Sequence, residues 1–258
     1  MKIREIIGAI ERRAALRWQD GFDNSGLQVG DPEAEARGIL ITLDITEEIV
    51  DEAIASGCNL IVSHHPLIFK ALKQVGTSTY QQRCVVKAVK NDICIYSAHT
   101  SLDNACGGVN HRIAVILGLR ETEWLGSPAD SESGSGLIGT LEEPLSDRDF
   151  FLKTKEAFGV ASLRCSRPEG RMIRKVAVCG GAGAFLLPDA ISKGADCFVC
   201  GEFRYHDYFE NSGVLLCELG HYQSEQYTRD LLASIISEAF PDADIRLSRI
   251  NTNPIQYL

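Results

Sequence analysis

The chain has 258 residues, 45% hydrophobic and 24% charged, an ordinary globular composition with enough apolar residues for a sizeable core. A net charge of -9 sets the surface against nucleic acid and anionic membrane as partners. No stretch reaches the ~18 apolar residues of a membrane span, and "MKIREIIGAIERRAALRW" lacks the apolar core of a signal peptide. A cytoplasmic protein of one large domain or two modest ones is therefore expected.

In chain order, residues 2–15 have the spacing of an amphipathic helix. "RGILITLDI" (37–45) reads as a buried strand. "TEEIVDEAIASG" reads as a helix capped by Thr46 and stopped near Gly57. "NLIVS" is the next strand, residues 78–90 are helical, "DICIYSA" (92–98) is a strand and "GVNHRIAVILG" a helix. Strand and helix alternate, which favours an α/β architecture. "GSPADSESGSG" (126–136) is polar and rich in Gly and Ser, the composition of a surface loop or linker. We therefore expect a first lobe over 1–125 and a second over 137–258.

The second half repeats the theme of the first. "KVAVCGGAGAFLLPDAISKGADCFVCGE" (175–202) lies over "GILITLDITEEIVDEAIASGCNLIVSHH" (38–65) at a constant offset of 137 positions. His65 then falls opposite Glu202. Further on, "YSAHTSLD" matches "ELGHYQSE", with His99 opposite His221 and Asp103 opposite Glu225. Two similar α/β lobes related by internal duplication are expected.

Nine cysteines raise the question of disulfides or zinc. Their number is odd, and most stand in apolar runs, where a free thiol behaves as a small hydrophobe. Cys197 and Cys200 form a CxxC inside a strand, where residues i and i+3 point to opposite faces. They are expected to pack the core. "CGGAGAF" (179–185) matches neither nucleotide-phosphate motif and reads as a tight strand-to-helix turn.

Histidine is the informative residue. Of the six, His64, His65, His99 and His221 stand at or just past the ends of strands, where ligands of open α/β sheets bind. A lone histidine at such a place is ordinarily hydrogen-bonded structure, and His111 and His206 taken alone are left at that. Two of the loops pair a histidine with an acid four positions on: His99 with Asp103 and His221 with Glu225, a spacing that brings both side chains to one face. His64, His65, Asp103, His221 and Glu225 together make a nitrogen and oxygen donor set suited to Zn, Fe, Mn, Co or Ni. Adjacent imidazoles that diverge along extended backbone can serve two ions.

"FDNSGLQVG" (22–30), "IVSHHPLIF" (61–69), "HTSLDNACGGVN" (99–110), "GGAGAF", "GEFRYHDY" (201–208) and "GHYQSE" (220–225) together resemble the Nif-three-like family. Its members are described as dinuclear-metal-centre hexameric proteins and as GTP cyclohydrolase I type 2 homologues. The resemblance runs in order over nearly the whole chain, in the family's compact form. It implies two divalent metals in the cleft between two similar lobes, with His64, His65, Asp103, His221 and Glu225 as ligands. Asp103 and Glu225 would bridge, while His99 and His206 would sit close by as catalytic proton-transfer groups. It also implies a toroidal homohexamer.

Two divalent cations against two carboxylates leave an excess of positive charge, which favours a small anionic ligand such as a nucleotide. The expected function is a metal-dependent hydrolase, with GTP ring opening as the case the resemblance suggests. The rival is a non-enzymatic metal-binding, storage or scaffold protein. Turnover that depends on Asp103 separates the two.

Overall fold

The computed structural model describes residues 1–256. In chain order, the first elements are α1 (Ile3–Arg13), β1 (Gly26–Val29), β2 (Ile39–Thr42), α2 (Glu47–Ser56), β3 (Leu60–Ser63), α3 (Tyr80–Lys90), β4 (Cys94–Ser97) and α4 (His99–Asp103). Then come α5 (Val109–Leu117), β5 (Leu119–Trp124), β6 (Leu137–Ser146), α6 (Asp147–Ala157), β7 (Arg164–Cys165), β8 (Met172–Cys179), α7 (Leu187–Ser192) and β9 (Cys197–Cys200). The chain ends with β10 (Leu215–Glu218), α8 (His221–Glu225), α9 (Thr228–Ala239) and β11 (Ile245–Leu247). Among the described residues no helix is long and apolar enough to cross a membrane.

Two compact units result. The first comprises Met1–Leu102 and Thr228–Pro254; the second is built on Asp103–Tyr227. The division differs from the expected lobes 1–125 and 137–258. Residues 125–136 join β5 to β6, which pair antiparallel from Leu119↔Leu141 to Trp124↔Leu137, so the polar stretch is a hairpin loop inside the second unit. The C-terminal segment returns to the first unit because β11 adds a parallel edge to β2.

In the first unit the strand order is β1-β4-β3-β2-β11. β11, β2, β3 and β4 run parallel and β1 closes the edge antiparallel. Every residue of β2, β3 and β4 is buried, as in parallel sheets covered on both faces. Helix α2 forms where expected: Thr46 Oγ1 accepts from the Ile49 N–H at 3.4 Å, and Gly57 ends it at φ +73°. Its buried Ile49, Val50 and Ala53 pack into a cluster with Ile61 and Ile95 of the sheet.

In the second unit the order is β5-β6-β8-β9-β10-β7. β8, β9 and β10 are parallel, flanked by antiparallel β6 and β7. Its core gathers Ile138, Ala177, Leu187, Phe198 and Leu216. The two parallel pairs share a register: Ile39↔Leu60 to Thr42↔Ser63 in the first unit, and Val176↔Cys197 to Cys179↔Cys200 in the second. Within each unit the carboxyl ends of the parallel strands lie along one edge of its own sheet, and histidines and acids follow them.

Candidate metal centre

In the first unit the backbone ladder continues past the strands. The N–H of His65 donates to Leu43 O, that of Ala98 to Ser63 O and that of His99 to His64 O. Ser63 and Ser97 join at the strand ends through their hydroxyls at 2.8 Å, and Ser63 Oγ donates to His65 O. These bonds draw three imidazoles together. The rings of His64 and His65 are 4.7 Å apart, and His99 lies 5.6 and 5.7 Å from them. His64 is completely buried. His99 takes φ +35°, a sparsely populated conformation that persists when its surroundings over-determine it.

Carboxylates orient two of the three rings. His65 Nδ1 lies 2.7 Å from Asp44 Oδ1, and Asp44 Oδ2 also accepts from Thr252 Oγ1. His99 Nδ1 lies 2.5 Å from Asp23 Oδ1, while Asp23 Oδ2 accepts from Thr100 and Ser25. Burial opposes ionisation of both acids, but the hydrogen bonds from His65 to Asp44, and from His99 and Thr100 to Asp23, outweigh it and hold both carboxyls below the usual range. A carboxylate acceptor facing Nδ1 favours the tautomer with the proton on that nitrogen. This is how metal-ligating histidines are ordinarily held.

In the second unit α8 follows β10. Its i, i+4 spacing sets His221 Nε2 3.2 Å from Glu225 Oε2, while His221 Nδ1 is 3.2 Å from Glu202 Oε1. Glu225 is buried and Glu202 exposed. The Gly180–Gly181 turn is pinned against this helix: Gly181 N–H donates to Ser224 Oγ, and Gly180 N–H donates to Asn110 Oδ1. Gly181 has φ +57°, and a Cβ there would run into the Glu225 carboxylate and crowd His221 Nε2. The glycine-rich stretch is therefore a turn, as its sequence suggested, and one that makes room for an acid.

The remaining expected residues fall as follows. Asp103 ends α4, half-buried, and its carbonyl accepts from Asn110 Nδ2. His206 is exposed on a short 3-10 helix between the rings of Tyr205 and Phe209. His111 packs edge-on to Trp124 at 5.0 Å, and burial pushes its pKa down. Cys197 and Cys200 are buried free thiols in β9; burial raises the pKa of both, that of Cys200 up to about 12. Sequence reasoning missed Asp23 and Asp44 as partners. Each stood in a quoted stretch, Asp44 at the end of a strand and Asp23 in "FDNSGLQVG", and an acid at a strand end is the signal that could have found them.

The arrangement defines an α/β protein with imidazole and carboxylate donors at the carboxyl edges of two parallel sheets. The Duf34/NIF3 (NGG1p interacting factor 3) family model matches residues 1–254. A Clostridium perfringens protein named GTP cyclohydrolase 1 type 2 homolog is 35% identical over the whole of both chains. Among solved structures, a Staphylococcus aureus hypothetical protein matches with TM-score 0.91 and 27% identity, and a Bacillus cereus protein related to NIF3 with 0.90 and 26%. Each alignment covers 100% of this chain and 99% of the other. The chain belongs to the DUF34/NIF3 family.

Proposed function

We propose that this protein holds two divalent metal ions and is a metal-dependent hydrolase of a small anionic, nucleotide-like compound, of the GTP cyclohydrolase I type 2 kind. The observation that carries the reading is the carboxylate-backed imidazole pair of the first unit. The donor types fit such ions: the first unit offers the imidazoles of His64 and His65, the second the carboxylate of Glu225, and nitrogen with oxygen suits Zn, Fe, Mn, Co or Ni. In the proposal His221 and Asp103 would complete the set, with the carboxylates of Asp103 and Glu225 offsetting the charge of the ions. Divalent ions held there supply Lewis acidity and a nucleophile at neutral pH.

The chain's own residues then divide the work. Asp44 holds His65 at Nδ1 and so fixes the orientation of its ring. Asp23 does the same for His99, which is left free to take a proton at Nε2; exposed His206 is the second candidate for that role. The proposal includes a toroidal homohexamer and a cytoplasmic setting, both on family resemblance and composition. It also includes an origin of the two sheets by internal duplication, supported by their common register at 137 positions' separation.

The test is turnover of nucleotides, pterins and phosphoesters by metal-loaded protein, alongside Asp103→Ala and His99→Ala. Turnover abolished in the first and slowed in the second, with metal retained by His99→Ala, is expected. Tight metal binding with no turnover of any compound would leave only the metal-binding module.

A further inference from the structure

The first unit carries an aromatic feature that the metal ligands do not explain. Phe22 is 66% exposed and Phe69 43%, yet their rings meet edge to face with centroids 6.3 Å apart. Phe69 in turn stands edge-on to His99 at 5.8 Å and 87°. The rings form a continuous row from solvent to the imidazole cluster. Their loops lie far apart in sequence and are latched together by polar bonds. Asn24 Nδ2 donates to Ile68 O at 2.6 Å, Ile68 N–H donates to Gln28 Oε1 at 3.2 Å, and Gln28 Nε2 donates back to Asn24 O at 2.7 Å. Three side-chain bonds thus hold two apolar rings at the surface beside the site. Two exposed phenylalanines cost solvation that burial would relieve, and the latch fixes them where a flat ligand can lie against them.

We propose that Phe22 and Phe69 form a platform on which the planar bicyclic heteroaromatic ring of the substrate, a purine or a pterin, packs while its reacting part reaches the imidazoles. The inference rests on the hydrolase reading for the word substrate, but ring binding itself does not need the metals. A planar ring is favoured over an aliphatic chain because stacking and edge-to-face contacts add to area burial. It is favoured over a protein partner because the row is one ring wide and runs into the histidine cluster rather than across the surface.

The test is isothermal titration of the full-length protein, metal-loaded and metal-stripped, with guanosine 5′-monophosphate, neopterin and ribose 5-phosphate. Metal content and light-scattering mass are read on the same samples. The platform predicts that Phe22→Ala and Phe69→Ala each weaken the ring compounds roughly tenfold or more, as base-stacking aromatics do. It predicts little change for ribose 5-phosphate, and recovery in Phe22→Trp. Guanosine 5′-monophosphate bound more tightly than neopterin identifies a nucleotide, and the reverse a pterin; either supports the platform. It is overturned if neither ring compound binds wild-type protein at millimolar concentration. It is also overturned if the Ala variants bind like wild type, or lose ribose 5-phosphate equally. A fall in oligomer mass in the Ala variants assigns the rings to a subunit contact and overturns it too. Ring binding that survives metal stripping, with no turnover of any compound, keeps the platform and removes the hydrolase reading.

Discussion

The two sheets use one scaffold to set imidazoles and carboxylates in different orders. At the edge of the first, three imidazoles cluster, and the acids Asp44 and Asp23 stand behind two of them on Nδ1. At the edge of the second, one imidazole lies between two acids, Glu202 and Glu225. The first edge sets imidazoles forward with carboxylates behind them; the second sets carboxylates on both sides of one imidazole. Chain position matters less than which side chain stands one residue past the strand: His64 follows Ser63, whereas Gly201 follows Cys200 and leaves room for Ser224 and the Gly181 turn.

The sharpest break should come from the charged edge. If Glu225 and Asp103 bridge, each compensates two cations, and removing either leaves them close together with less opposing charge. Glu225→Ala or Asp103→Ala should therefore empty both sites, whereas His64→Ala or His65→Ala should weaken one preferentially. Metal titrations read by elemental analysis decide it. Asp103→Ala holding both ions at wild-type affinity refutes the bridge.

Gly181→Ala attacks the same edge through space rather than charge. It meets two obstacles, the left-handed φ and the Glu225 carboxylate, so metal binding should fall with stability. Gly194→Ala is the control: φ is +67° and nothing stands within 4 Å of its Cβ. It should cost only the conformational term, about 1–2 kcal/mol, and leave metal content alone. Equal metal loss in the two variants would deny the cradle.

A carboxylate that holds backbone should behave unlike one that holds an imidazole. Asp147 is buried and accepts from the N–H groups of Arg148, Glu169, Gly170 and Arg171. Burial opposes its ionisation, but those bonds prevail and hold its pKa below the usual value. A lowered folded pKa means stabilisation that is present above the unfolded value of about 4 and lost as pH falls through the folded one. Asp147→Ala should lose about 1–3 kcal/mol at pH 7 through stranded donors, and the gap from wild type should narrow below pH 4. Urea midpoints at both pH values measure it, and metal content should not move. Asp44→Asn should do the reverse: near-wild-type stability, and metal affinity down about 10–100-fold, the usual effect of losing the group behind a ligand. Unchanged affinity would deny Asp44 its orienting role.

What could be read in advance follows interaction range. Helix α2 was legible to the residue because Thr46 and Gly57 act within one turn, and β3 because four buried residues stand in a row. The contact of His221 with Glu225 was legible because the two lie four positions apart. The pairing of His99 with Asp23 spans 76 residues, and β11 joins β2 across the whole chain; no local pattern encodes either. For the polar 126–136 stretch a surface loop and a linker share a composition, and only the antiparallel pairing of β5 and β6 tells them apart.

The smallest effect is expected at the cysteines, where sequence alone posed the sharpest false lead. Cys197-x-x-Cys200 has the spacing of a zinc or redox pair, and Cys200 comes within reach of Gly181 O, 3.6 Å from its sulfur. Burial, though, raises the pKa of both thiols, which opposes formation of the thiolate that binds metal or attacks as a nucleophile. Cys197→Ala and Cys200→Ala should therefore leave metal stoichiometry and affinity as in wild type, and should cost only the packing of one sulfur each, about 1 kcal/mol. Elemental analysis after matched metal loading, with X-ray absorption at the metal edge, reads both points. Sulfur in the coordination sphere, or one ion lost from either variant, would move the centre from the histidine edge to β9 and overturn the division between the two sheets.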